Sequence, residues 1–440
     1  MSTDADVVIV GAGAAGIAAA RRLAASGLSA MVLEATARVG GRAWTCDVAG
    51  FHLDLGCGWL HSADRNPWTR IAEAAGFTID RRTPAWGRQY RDLGFSQAEQ
   101  AAATRAFTDW RRRMTKTPPA SDCAADALDP DGEWNPYLQA MSGFLMGAGL
   151  ERISVADYFA YEAASTGCNW RAPAGYGSLV AASLPRPIDL RLSTPVESIE
   201  LDSLAVVLAT PVGDVRARAA IITVSTAVLA AGTIVLPRGL DPWRHAAGRL
   251  PLGRNEKLFL EIVGDSLFVP ETRVLGNPRD RRTGVYYIRP FDWPVIECFF
   301  GDEGAQMVEE MGPTAGFAYA TDQLATLFGS AVSRSLRPLV ASSWSRMTHV
   351  GGAYSHALPG HAAARKDLAR PFEQRLFFAG EATHVYDYST AHGAHDSGVR
   401  AAEEAIAALT SAAAMNPAKS GWSGSDRASV EQAVRTDRSA

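Results

Sequence analysis

Apolar and polar positions change period several times along the chain. Val7–Val10 is an unbroken apolar run, the pattern of a strand buried on both faces. Alanine and isoleucine at helical spacing follow over Ala14–Ser26, and Gly27 stops that helix. Ala30–Leu33 reads as a second strand. From about Arg81 to Ser183 the period is helical. Phe95–Met114 is an amphipathic helix there, followed by a loop rich in Asp and Pro at Pro118–Trp134. Strand alternation returns across Ile188–Val224. The uncharged run Ala219–Leu236 is almost long enough to cross a bilayer. Its hydroxyl residues, glycine and β-branched clusters instead predict strand–turn–strand in a buried sheet. Gly253–Val263 is β-rich, with Lys257, Phe259 and Glu261 on one face. Near the end, Leu376–Gly380 is a buried strand and Ser397–Leu409 an amphipathic helix. The polar stretch between them holds His384, His392, His395, Tyr386 and Tyr388. It is far longer than the two to six residues of an ordinary strand-to-helix connection. Thr410–Ala440 is small, polar and aperiodic, so 411–440 is read as a flexible tail.

Composition narrows the class. With 440 residues, 47% hydrophobic and 20% charged, the chain can build two or three cores. A net charge of −4 argues against a nucleic-acid partner, which would call for a basic face. Cys46, Cys57, Cys123, Cys168 and Cys298 show no paired spacing. They read as reduced thiols of a cytoplasmic protein rather than a disulfide frame or a metal site. The N-terminus carries acids where a signal peptide needs positive charge. Only Lys116, Lys257, Lys366 and Lys419 are lysine among 43 basic residues, so a lysine in an unusual place stands out.

The chemistry begins at the first turn. Gly11, Gly13 and Gly16 form G-x-G-x-x-G between the first strand and helix, and Glu34 ends the second strand 18 residues after Gly16. Gly11 permits the tight turn, Gly13 lets a pyrophosphate reach the backbone, and Gly16 allows close helix–strand packing. The helix N-terminus at Ala14 and Ala15 favours phosphate charge. Glu34 would accept from ribose hydroxyls and repel an extra phosphate. Gly40, Gly41 and Arg42 then add a second phosphate clamp, which NAD-binding units do not normally carry and which points to FAD.

With this second clamp the sequence resembles the flavin-containing amine oxidases, the family of monoamine and polyamine oxidases. Thr36 departs from it, standing where many relatives have arginine. The resemblance extends through Phe51–Trp68, where it places Gly56, Cys57, Gly58 and Trp59 against the flavin ring and His61 near the substrate. That segment looks more like the polyamine-oxidase side of the family. No arginine follows it of the kind amino-acid oxidases use for a carboxylate. The resemblance further implies Ala35 and Val196 at the adenosine end, and Gly380, Glu381 and Ala391 along the cofactor. It makes Lys257 the residue that reaches flavin N5 through a water. Lysine suits that place because a primary ammonium is compact and can lose its proton when desolvated. Trp344 would lie beside the flavin. Tyr354 would be one wall of an aromatic cage, with Thr390 where monoamine oxidases have the second. Tyr386 or Tyr388 could replace that wall; His392 and His395 have no assigned role. Ala353 stands where animal monoamine oxidases have a flavin-linked cysteine, which implies non-covalent FAD.

The expected fold is α/β: a Rossmann-type FAD-binding domain interleaved with an α+β substrate-binding domain, in amine-oxidase/p-hydroxybenzoate-hydroxylase-like topology. Residues 1–79, 186–251 and 341–410 would form the first, and 80–185 and 252–340 the second. The expected reaction is hydride transfer from the carbon next to a neutral amine to the flavin, with O2 as acceptor and peroxide as product. No metal, nucleic acid or membrane is implied; a homodimer is possible. An L-amino-acid oxidase is one alternative, with Arg171 as a carboxylate anchor, and a dehydrogenase or desaturase using another acceptor is a second. A flavoprotein that only binds is a third. A chromatin-type demethylase is disfavoured by the lack of a long coiled-coil insertion. The acids Asp122, Asp126, Asp129, Asp131 and Glu133 could attract cationic amines, but read better as a solvated loop.

Overall fold

The computed structural model describes residues 3–264 and 267–415. Two sheets dominate it. The first has seven strands. Ala5–Val10 lies at its centre, with Ala30–Leu33 and then Asp189–Arg191 on one side, all parallel. On the other side Val215–Ile222 runs parallel to it. That strand pairs in turn with Leu376–Phe378, from near the other end of the chain. It also starts an antiparallel run through Val206–Ala209 to Ser198–Leu201.

Apolar residues on both faces are what such a sheet needs. Val7 and Ile9 face a core shared with the helices Ala14–Ala24 and Ala391–Met415. Val8 and Val10 face an opposite core shared with Thr226–Ala231, Asp241–Gly248 and Ala364–Ala369.

The second sheet is antiparallel. Its order is Thr272–Leu275, Val285–Ile288, Val295–Gly301, Asn255–Ile262 and Leu336–Ala341. Alternation divides its side chains. Leu258, Leu260, Ile296, Cys298, Phe300 and Tyr286 pack in a core with the helices Glu303–Met311 and Pro313–Phe328. Lys257, Phe299, Val285, Glu297, Tyr287 and Arg273 take the other face and line a cavity.

Three expectations change. Ala219–Leu236 is a strand and then a helix, not strand–turn–strand. Ser225 Oγ accepts from Val228 N at 3.2 Å, Gly232 closes the last turn at φ +67°, and the alanines between favour helix. None of the described helices is long and apolar enough to cross a membrane. The C-terminal helix starts at Ala391, six residues before Ser397. Gly393 and two histidines, poor helix formers, occupy the added turns; a Cβ on Gly398 would stand 2.1 Å from Ala15 O, so the approach of the two helices requires glycine there. The same helix runs on to Met415, into the expected tail; 416–440 lie outside the described residues.

Candidate active site

A cavity of about 1240 Å³ runs from the C-terminal ends of the parallel strands to the second sheet. Its first part is a cradle of backbone. Gly11, Gly13, Ala14 and Ala15 line it from one loop, and Gly40, Gly41 and Arg42 from the next. Gly40 N donates to Ala12 O at 2.8 Å, which ties the loops together. A Cβ on Gly41, at φ +60°, would stand 3.1 Å from Gly13 Cα. Gly16 packs beneath the cradle rather than lining it; a Cβ there would meet Gly11 O at 1.9 Å. No side chain caps the helix Ala14–Ala24, so its first N–H groups are left for an anion.

Glu34 lines this end with Ala35 and Val196. Its Oε2 accepts from Ala12 N at 2.8 Å, and its Oε1 from Thr36 N at 2.9 Å and Thr36 Oγ1 at 2.7 Å. Thr36 therefore steadies the acid rather than touching a phosphate. Arg38, which sequence reasoning passed over, lines the same end and stacks on Trp44 at 4.2 Å. Arg42 differs from a free clamp. Its Nη1 is engaged by Glu381 Oε1 at 2.8 Å and Ala353 O at 2.6 Å. Glu381 also accepts from Ser355 Oγ at 2.7 Å and Ser389 N at 2.8 Å. Burial alone would raise its pKa, but Arg42, Arg365 and these hydrogen bonds outweigh it and hold the carboxylate below its usual range. Gly380 lines the wall beside it.

The cavity then meets Gly56, Cys57, Gly58 and Trp59, a turn that follows the strand Phe51–Asp54. Burial, with Asp54 close by, pushes the Cys57 thiol up to about 12, so it is no nucleophile. Lys257 reaches this turn from the second sheet. Its Nζ donates to Asp54 O at 3.0 Å and pairs with Glu297 Oε1 at 2.8 Å. Burial raises the pKa of the Asp54 carboxyl, and hydrogen bonds from Thr45, Tyr176 and Gly177, with the Lys257 charge, offset part of that. Trp344 stands on the same wall; its Nε1 donates to Leu55 O at 3.0 Å and its N to Glu256 Oε1 at 2.7 Å.

Beyond Lys257 the cavity is an aromatic chamber. Tyr354 enters it with its hydroxyl donating to Phe144 O at 2.7 Å. His61 lies opposite the small strand Asn169–Trp170 and holds Asn169 Oδ1 at 2.7 Å. Burial lowers its pKa to about 4, so it is neutral near pH 7. Thr390 and Ala391 line the cavity where the C-terminal helix begins; Thr390 Oγ1 accepts from Gly393 N at 3.0 Å and caps it. Neither proposed replacement wall is present. Tyr388 is fully buried, its hydroxyl on Asp157 O and its ring under Arg365; Tyr386 is exposed and packs on His384. Tyr161, Phe144 and Phe299 line the chamber instead, and the sequence did not mark them.

Other candidates fall away from the cavity. His392 is buried, 3.2 Å from Asp387, and His395 packs on Trp68. Arg171 is fully committed: it pairs with Asp80 at 3.0 Å and Glu271 at 2.7 Å, and stacks between Trp59, Tyr287 and Phe291. None of the acids of the 118–134 loop lines the cavity, and Asp122 serves as a staple that accepts from Ala156 N and Gly360 N. His384, Asp387 and Asp396 bring possible ligand atoms within 4.8 Å, but both Asp387 oxygens already take Arg65.

Two glycine loops that touch, an uncapped helix end and an acid at the adenosine end fit a flavin dinucleotide; a lysine and aromatic walls fit its ring end. The fold and this cavity define an FAD-dependent oxidoreductase that acts on amines. The chain belongs to the flavin containing amine oxidoreductase family, whose model matches residues 14–92 and 87–406. It is 26% identical over 437 residues to polyamine oxidase 2 of Arabidopsis thaliana, covering 90% of this chain and 87% of that protein. It is 24% identical over 431 residues to pseudooxynicotine dehydrogenase of a Pseudomonas species, covering 86% and 82%. Among solved structures, a redesigned putrescine oxidase superposes with a TM-score of 0.68 at 19% identity, over 92% of this chain and 99% of that one, which shows the shared fold.

Proposed function

We propose that the chain is an amine oxidase that holds FAD without a covalent bond, takes a hydride from the carbon beside a neutral amine nitrogen, and uses O2 as acceptor. One amine, one O2 and one water would give a carbonyl compound, ammonia or a smaller amine, and one H2O2. When bound, FAD supplies the hydride acceptor and the route for the electron pair. The observation that carries this reading is the junction at Lys257, where a nucleotide cradle opens into an aromatic chamber beside a fixed ammonium.

The chain's own residues have three tasks. The glycine loops and the first N–H groups of the Ala14–Ala24 helix bind the phosphates. Trp59, Tyr161, Tyr354 and Phe299 exclude water and direct the amine. Lys257, held by Glu297 and Asp54 O, places positive charge where reduced oxygen would form. On the chamber side the described lining offers one carboxylate, Glu297, and Lys257 occupies it. The amine must therefore arrive neutral, and kcat/KM should rise with pH toward the amine pKa. Ala353 gives no thiol for a flavin link, and none of the five cysteines stands there. Acid precipitation should release all yellow colour into solution; colour kept in the pellet would refute non-covalent binding.

The relatives divide on the acceptor, one being called an oxidase and the other a dehydrogenase. The test is anaerobic mixing of the yellow holoprotein with alkylamines, polyamines and amino acids, then admission of air. Bleaching with rapid recovery and peroxide supports the oxidase. Bleaching that persists in air makes the chain a dehydrogenase. No bleaching by any amine refutes amine oxidation.

A further inference from the structure

We infer that Arg273 selects an amine whose far end carries a carboxylate, rather than a second ammonium; this rests on the amine-oxidising reading above. The argument begins with the sheet. Lys257 and Arg273 lie on the same face of it, on strands separated by two others. Three strand spacings and a two-residue offset along the strand put their backbones roughly 16 Å apart. Lys257 marks the reacting end, so Arg273 marks the other. Between them the face carries Phe299, Val285 and Tyr287, and one acid, Glu297, which Lys257 already pairs.

The charge balance of the chamber points the same way. Arg273 lines the cavity beside Tyr137, and its one described hydrogen-bond partner is a backbone carbonyl, Trp86 O, at 2.9 Å from Nη1. It forms no ion pair among the described residues. Arg171, which stacks on Tyr287 next to Arg273 in the ladder, is by contrast saturated by Asp80 and Glu271. Burial lowers the Arg273 pKa to about 10, so it is still charged near pH 7 while short of partners. A guanidinium presents five donors in a planar fork that matches a carboxylate. Arg273 is half-buried on the cavity wall, and a guanidinium placed there with one carbonyl for a partner has donors left for an anion. A diamine or polyamine would instead bring its second ammonium toward Arg273, with Glu297 already taken by Lys257. Tyr137 and Trp86, also on the wall, can add a hydroxyl and an aromatic edge around the same end group.

The test uses the holoprotein, its Arg273→Met and Arg273→Lys variants, and three probes of equal chain length: an alkylamine, an α,ω-diamine and a terminal amino acid with its amine at the opposite end. Rates of anaerobic flavin reduction against concentration give a Kd for each. The parent should favour the amino acid over the diamine by roughly 10- to 100-fold. Arg273→Met should collapse that ratio toward one, and Arg273→Lys should keep part of it. Equal or better binding of the diamine by the parent, or a ratio unmoved in Arg273→Met, overturns the proposal while leaving amine oxidation intact. An alkyl carboxylate with no amine provides the independent arm, read as a perturbation of the flavin spectrum. Its binding to the parent and loss in Arg273→Met supports the anion site even if no amine bleaches the flavin, in which case only the amine reading fails. No spectral change in the parent counts against the site.

Discussion

Replacing Glu256 by Gln probes how the wall beside Lys257 is held. Glu256 is 1% exposed; it takes the Trp344 N–H at 2.7 Å and the Ser342 hydroxyl, which in turn accepts from Lys257 N at 2.8 Å. Burial, and then the neighbouring Glu309, push its pKa from 4.5 up to about 9. Between those values the folded chain keeps a proton that the unfolded chain releases. The folded pKa is the higher one, so stability is greatest below the ordinary carboxylate range and falls as pH rises through the window. One retained proton changes stability by on the order of 1 kcal/mol per pH unit, or roughly 3 kcal/mol between about pH 6 and about pH 8. Gln leaves an acceptor for Trp344 N and removes the titration. For a chain of this length the entropy of unfolding is roughly 0.9 kcal/mol per kelvin, so the parent should lose about 3 °C of Tm relative to Glu256→Gln across that range. Calorimetric scans of both holoproteins at the two pH values read this directly. A parent-minus-variant difference that does not change with pH would show that Glu256 is ionised in the fold, and the argument would fail.

Four further outcomes follow from the site. Lys257→Met should slow reoxidation by O2 about 10- to 100-fold, more than it slows anaerobic reduction, because the charge acts on the oxygen step; stopped-flow measurement of both half-reactions checks it, and equal slowing contradicts it. The same variant leaves Glu297 without its 2.8 Å partner and should cost about 1–3 kcal/mol of stability in denaturant titration. Gly41→Val should yield folded protein with little bound flavin, since φ is +60° and Gly13 Cα lies in the way; full yellow colour at normal yield would contradict the cradle. Glu381 has a lowered folded pKa, so its contribution is present above the unfolded value and lost as pH falls through the folded one; Glu381→Gln should flatten the acid limb of the stability profile.

The sequence is most readable where one segment contains its own partners. The first strand, glycine turn, helix and Glu34 fall within 30 residues, and the structure keeps them together in one cradle. Alternation around Lys257 likewise showed which residues share a face. It could not show what lies across the ladder. Glu297, Tyr287 and Arg273 join Lys257 only through pairing with strands up to about 40 residues away, and nothing in their own neighbourhoods marks them. Tyr161 comes from the helix Val155–Ala164, where an aromatic at helical spacing reads as ordinary core. Arg171 is the opposite case: an arginine that looked available is neutralised by acids at Asp80 and Glu271, 91 and 100 positions distant. The C-terminal helix was begun too late because its first turns, before Ser397, carry Gly393 and two histidines, poor helix formers, whereas a Cβ on Gly393 would stand 2.0 Å from Asp387 O, so the close turn requires glycine there.

The parallel pairing of Val215–Ile222 with Leu376–Phe378, and the packing of Ala14–Ala24 along the C-terminal helix, have a consequence for biosynthesis. The cradle's first half is made long before its last wall, Gly380–Ala391, which comes with the closing tenth of the described chain. Until then the nascent polypeptide exposes an unfinished sheet edge and an open nucleotide site. Flavin capture must therefore wait until that last wall has been made, and a protein truncated before Leu376 should accumulate as a chaperone client rather than as a yellow intermediate.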